Sequence, residues 1–179
     1  MIKRVENELE LAMFNGVWTT VWMEKGFELD VSKEVLDRFV IVTEEGHYVG
    51  AAEIKPYSMQ GRINEVAPFQ EHPAIRQNPK RVAEIDKIAV LKPYRGRYIR
   101  ELLSSTIACA EKREIRYYVA LMEPVFLRAL RITYGVPYEK LGSKRFYKGD
   151  DVIPVLLMVE EIYKNKQHYP WLIDPRSAS

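Results

Sequence analysis

Residues 82–103 read VAEIDKIAVLKPYRGRYIRELL. From Val82 to Val90 apolar and polar side chains alternate as they do in a strand, and Pro93 ends the run. Beyond the break, Ile99, Leu102, Leu103, Thr106, Ile107 and Ala110 recur at i, i+3, i+4 and i+7 spacing, which predicts an amphipathic helix. The connection Lys92-Pro93-Tyr94-Arg95-Gly96-Arg97 therefore gathers two guanidinium groups and the unpaired N–H groups of a helix start at one point. That combination suits phosphate.

Upstream, Leu9, Ala12, Met13, Val17 and Val21 form one helical stripe with Phe14, Trp18 and Trp22 beside it, an apolar face wide enough to cover a sheet. Arg38 to Thr43 and Tyr48 to Ile54 are β-rich runs joined by Glu44-Glu45-Gly46-His47, which predicts an antiparallel hairpin. From Lys55 to Arg81 no period is sustained, and Pro56, Pro68, Pro73 and Pro79 interrupt the chain. This segment is read as a substrate-side loop that orders on binding.

Downstream, Arg116 to Met122 predicts a strand. Pro124 opens a helix carrying Phe126, Leu127, Leu130 and Tyr134 inward, and Gly135 stops it. The succession strand, helix, strand, helix favours a parallel pair in the middle of the sheet. Lys144 to Tyr147, a Gly149-Asp150 turn and Val152 to Glu160 close the chain as a second hairpin, followed by a tail expected to wrap the surface through Tyr169, Trp171 and Leu172.

With 179 residues, 47% apolar and 29% charged, residues 1–179 are expected to form a single domain. The balance of 27 Lys+Arg against 25 Asp+Glu disfavours a general nucleic-acid binder, whose affinity rests on many phosphate contacts. The lone Cys109 cannot form an intrachain disulfide and reads as a buried structural thiol, and the three histidines His47, His72 and His168 show no zinc spacing, so no metal is expected. The longest apolar run, Val152 to Val159, falls far short of the ~20 residues of a membrane span. A cytoplasmic, unprocessed protein is the expectation, and self-association is left open.

Two strands, a long loop, a strand entering a basic helix start, then strand, helix and terminal hairpin resemble the element order of the GNAT acyltransferase superfamily. IDKIAVLKPYRGR looks like that family's strand and acyl-donor loop, and PVFLRALRITYGVPYEKLG resembles the helix and strand after it. More narrowly, EIDKIAV and PYEKLGSKRFYKGDDVIPVLL resemble the autoinducer-synthase-like branch, which makes acyl-homoserine lactones or N-acyl amino acids. The resemblance implies an α/β (α+β) fold with a mixed, mostly antiparallel central sheet and helices on both faces. It implies an N-acyltransferase moving an acyl group from a coenzyme A thioester, or from the phosphopantetheine of an acyl-carrier protein, to a primary amine of a small molecule. Backbone N–H groups at a bulge, from Ile88, Ala89 and Val90, would hold the thioester carbonyl. Arg95, Gly96, Arg97, Tyr98, Ile99 and Arg100 would bind the donor. Two departures stand out: Tyr98 and Arg100 occupy places where the family has small residues, and Arg131 stands four residues before Gly135, where many members carry a tyrosine that protonates the leaving thiolate. Crowding at the donor loop and the long segment before it favour a medium or long acyl donor over acetyl.

Transfer to an amine requires the amine to lose a proton, a task for a carboxylate acting directly or through water. Strand alternation puts Val82, Glu84, Asp86, Ile88 and Val90 on one face, which makes Glu84 and Asp86 the candidate catalytic residues. Asp86 reads equally well as the partner of a neighbouring arginine. The competing functional reading is a catalytically idle GNAT-like module that binds acyl-CoA or a protein partner.

Overall fold

A computed structural model describes residues 1–174. In chain order its elements are β1 (Ile2–Arg4), α1 (Glu8–Lys25), β2 (Asp37–Val42), β3 (Tyr48–Pro56), α2 (Ile63–Val66), α3 (Pro73–Gln77), β4 (Val82–Val90), α4 (Ile99–Lys112), β5 (Tyr117–Met122), α5 (Pro124–Ile132), β6 (Tyr138–Lys140), β7 (Arg145–Tyr147), β8 (Asp150–Leu157) and α6 (Val159–Lys164). The eight strands hydrogen-bond in the order β1-β2-β3-β4-β5-β8-β6, with β7 on β8. β4 and β5 are the expected parallel pair, and antiparallel pairing joins β1–β2, β2–β3, β5–β8, β6–β8 and β7–β8. The fold is thus the mixed, mostly antiparallel α/β architecture that the resemblance implied.

Two compact units divide the chain, and β4 contributes to both. The first comprises residues 1–55, 85–109 and 171 onward. Side-chain alternation on its strands builds two apolar layers. Val40, Val42, Ala51 and Ala89 pack against Phe14, Val17, Trp18 and Val21 of α1, while Ile41, Ala52 and Val90 pack against Leu102 of α4. Helices therefore cover both faces of the sheet in this unit. α1 begins where the Asn7 side chain accepts the Glu10 N–H and ends at Gly26, whose φ of +76° is the left-handed conformation a glycine adopts freely. The buried face of α1 is rotated from the predicted stripe: Val17 and Val21 are buried with Phe14 and Trp18, while Leu9 and Met13 lie exposed.

The second unit comprises residues 56–84 and 110–170. The segment read as a loop has regular structure of its own. It forms α2, α3 and two single 3-10 turns, and Ile63, Phe69 and Ile75 enter one core with Val82, Val119 and Leu156. Its prolines start these turns rather than prevent them: Pro73 and Pro79 open helical turns, where a missing N–H costs nothing. Glu160 ties the end of this segment to the sheet, accepting from Arg81 at 2.9 Å and Arg116 at 3.1 Å. Pro154 sits in the interval where β6 has ended its pairing with β8 and β7 has not begun, so its absent donor breaks no ladder bond.

Phe69 is fully buried among these residues. Phe69→Ala is expected to destabilise the protein by about 3–5 kcal/mol. Urea unfolding measures this, and a loss below about 1 kcal/mol would restore the view that the segment is a loose loop.

Candidate active site

In the second half of β4 the backbone departs from an ordinary strand at a charged residue. Lys87 has φ of +53°, the left-handed region that a non-glycine residue enters only when its surroundings demand it. Its side chain is 1% exposed. The ammonium donates to Ser32 Oγ at 2.8 Å, Glu53 Oε1 at 3.0 Å and Asp86 Oδ2 at 2.9 Å, and lies 5.1 and 5.6 Å from the ring centroids of Trp18 and Trp22. Glu53 is equally buried and accepts from Arg38 Nε at 2.8 Å and from the Ser32 hydroxyl. The result is a charge ladder across β2, β3 and β4 beneath α1: Arg38, Glu53, Lys87, Asp86.

Asp86 is held at both oxygens. Oδ1 accepts the Lys87 N–H at 2.9 Å, and Oδ2 faces the ammonium groups of Lys87 and Lys55, the latter at 3.6 Å. The expected pairing with an arginine is made by two lysines instead. The left-handed residue also breaks the predicted alternation: Ile88 and Val90 pack on the α4 face, but Asp86 reaches cations on the α1 face. A left-handed residue inside a strand re-aims backbone as well as side chains. The Leu91 N–H donates to Val49 of β3. The N–H groups of Val90 and Ile88, on alternate positions, therefore point to the opposite edge of the strand.

β4 runs from there into the basic connection. Gly96 has φ of +85°, and the Tyr94, Arg95 and Arg97 amides donate to carbonyls three residues earlier, which curls the loop tightly. The Leu102 N–H closes the first turn of α4 on the Tyr98 carbonyl, and the amides of Ile99 to Glu101 belong to the turn whose donors have no partner within a helix. Tyr98 packs with Tyr94 against the α4-side core, so its size is absorbed by packing. Arg100 donates through Nε to the Trp171 carbonyl at 2.7 Å, and the Ile173 N–H donates to Ser104 Oγ, so the expected tail lies along α4. Among the described residues Arg95 pairs with Glu24, at 3.4 Å, and both side chains are close to half exposed. Such an exposed pair contributes little to stability. Cys109 is buried and donates to Asp37 Oδ2, as a structural thiol would.

Glu84 lies in the second unit, where the parallel ladder of β4 with β5 spans Val82 to Glu84. Its charge is felt at Tyr57, whose hydroxyl donates to Asn64 Oδ1 at 2.7 Å. Burial pushes the Tyr57 hydroxyl above the usual tyrosine value; the Asn64 hydrogen bond opposes that shift and the Glu84 carboxylate adds to it. In the same unit Arg131, at the thiolate-acid place, lies over the Tyr138 ring at 4.1 Å. Lys87, Glu53 and Tyr57 were not singled out from sequence. The one available signal was a lysine on the strand face shared with Ala83, Ile85 and Ala89, which is otherwise apolar.

The sequence profile of the acetyltransferase (GNAT) family matches residues 4–132, and the chain belongs to that family. It is an acyltransferase. No curated protein matches it. Among solved structures, FeeM, an N-acyl amino acid synthase from uncultured soil microbes, is similar with a TM-score of 0.72 at 16% identity, over 90% of this chain and 91% of its own. MesI, a CoA-dependent acyl-homoserine lactone synthase, reaches 0.65 at 14% identity, over 94% and 95%, and the acyl-homoserine lactone synthase LasI reaches 0.65 at 16%, over 89% and 88%. Identities this low establish a shared fold.

Because folding raises the Tyr57 pKa, the stability this group contributes is complete below pH about 10 and is lost as pH rises through its folded value. Glu84→Gln is expected to bring the Tyr57 titration to lower pH. Ultraviolet titration of each protein against its Tyr57→Phe counterpart measures this, and an unmoved titration would put Glu84 out of reach of Tyr57.

Proposed function

We propose that the chain works as one domain, an N-acyltransferase that takes an acyl group from a coenzyme A or carrier-bound thioester and transfers it to the primary amine of a small molecule. The observation that carries this reading is β4: a left-handed break at Lys87, then Ile88 and Val90 with amides aimed off the β3 edge and Ala89 between them, then Arg95-Gly96-Arg97 at the start of α4. A thioester lying along that strand edge would place its carbonyl oxygen on those amides and its phosphates at the loop.

The amine lone pair then attacks the carbonyl carbon, the C–S bond breaks, and the sulfur leaves as the thiolate. The proton shed by the amine goes to Glu84, directly or through water, because Asp86 is engaged by two ammonium groups while Glu84 lies two residues away on the same strand. Asp86 serves to hold the strand. With a thiol pKa near ~8.5 the leaving group needs little help at neutral pH, which suits an arginine committed to Tyr138 at the acid's place. Arg95, Arg97 and Arg100 are assigned to the donor phosphates with Gly96, Tyr98 and Ile99. Arg100 must exchange the Trp171 carbonyl to take part.

FeeM, an N-acyl amino acid synthase, and MesI, a CoA-dependent acyl-homoserine lactone synthase, support an acyl thioester donor; we read that donor as longer than acetyl, although Tyr98, spent on packing, no longer argues for it. Each further buried methylene adds up to ~0.8 kcal/mol. Octanoyl-CoA or carrier-bound octanoyl is expected to exceed acetyl-CoA in kcat/KM by more than tenfold across a panel of amino acids and other primary amines. A preference for acetyl-CoA would contradict the long-donor reading, and no turnover with any pair would favour the idle module.

A further inference from the structure

We propose that Lys87 is a positioning residue: its buried ammonium clamps Glu53 to Asp86 and thereby holds the left-handed turn that aims the Ile88 and Val90 amides. The inference deepens the proposed function and rests on it for the identity of what those amides meet.

Three observations combine. The backbone of Lys87 is in a region where a side chain is strained, so something must hold it there. The ammonium has three oxygen acceptors within 3.0 Å and two indole faces, a satisfied set for a buried cation. The Asp86 carboxylate bridges the Lys87 N–H to the Lys87 ammonium, so side chain and backbone of this one residue are locked through its neighbour. Glu53, anchored by Arg38 and Ser32, fixes the far end of the clamp on β3. The turn is thus referred to the sheet rather than left to the local chain. A glycine would adopt the same φ at less strain but would hold nothing, which is the physical reason for a lysine here.

Lys87→Met alone leaves the Glu53 carboxylate buried without this cation and is expected to lower thermal stability sharply. The double variant Lys87→Met/Glu53→Gln removes both charges and is the informative protein. Its unfolding midpoint is expected to stay close to that of the wild type while the 15N resonances of residues 86–90 move. With octanoyl-CoA and an accepted amine, kcat is expected to fall at least tenfold. The calorimetric Kd for CoA itself, which depends on the α4 start, is expected to change less than threefold. A folded double variant with unmoved resonances and kcat within twofold of wild type would overturn the inference. So would an equal loss of kcat and CoA affinity, the mark of general loosening. If the wild type binds no acyl thioester, the proposed function fails, and the 86–90 resonances of the free protein alone decide the role of Lys87.

Discussion

A lysine ammonium sealed beneath two tryptophans is the constraint around which the first unit is arranged. Burying a charge costs several kcal/mol unless it is paired and fully hydrogen-bonded. Here Glu53, Asp86 and Ser32 supply the oxygens, Trp18 and Trp22 the aromatic faces, and Arg38 balances the second carboxylate. Breaking such a pair from one side costs about 3–5 kcal/mol, whereas removing both charges can be nearly neutral. The arrangement therefore contributes less to net stability than to defining one conformation of β4.

That conformation links packing to chemistry. α1 brings the tryptophans, the 26–36 connection brings Ser32, and β2 and β3 bring Arg38 and Glu53, so the path of β4 through residue 87 is decided by elements distant in sequence. Past the turn the strand resumes with Ala89 toward α1 and Val90 toward α4, and it delivers the chain to a basic loop at a helix start. Each feature alone is commonplace. Their order along one strand of a GNAT chain is what supports an acyl-thioester site.

How much of this was legible depended on how local the determinant was. β4, α4 and α5 declared themselves through period and punctuation, with Pro93, Pro124 and Gly135 marking their ends. The parallel β4–β5 pair followed from element order alone. The 56–81 segment was misjudged because its helical turns are three to five residues long, too short to show a period, and Ile63, Phe69 and Ile75 reveal their burial only against the sheet. β1, three residues long, was invisible for the same reason, and the equally short β6 showed only through the family resemblance. The site divided likewise: the basic loop was readable, while the partners of Asp86 depended on a left-handed residue and on Lys55 and Glu53, more than thirty residues away. The size of Tyr98 and Arg100 was visible, but where those side chains go was a tertiary matter.

The central claim is that an acyl thioester lies along β4 beyond Lys87 with its phosphates at the start of α4. Amide hydrogen exchange of the wild-type protein with and without saturating octanoyl-CoA tests it most directly. The account predicts added protection at Ile88 and Val90 and at Ile99 to Glu101. Protection confined to other segments, or none at any donor concentration, would contradict it.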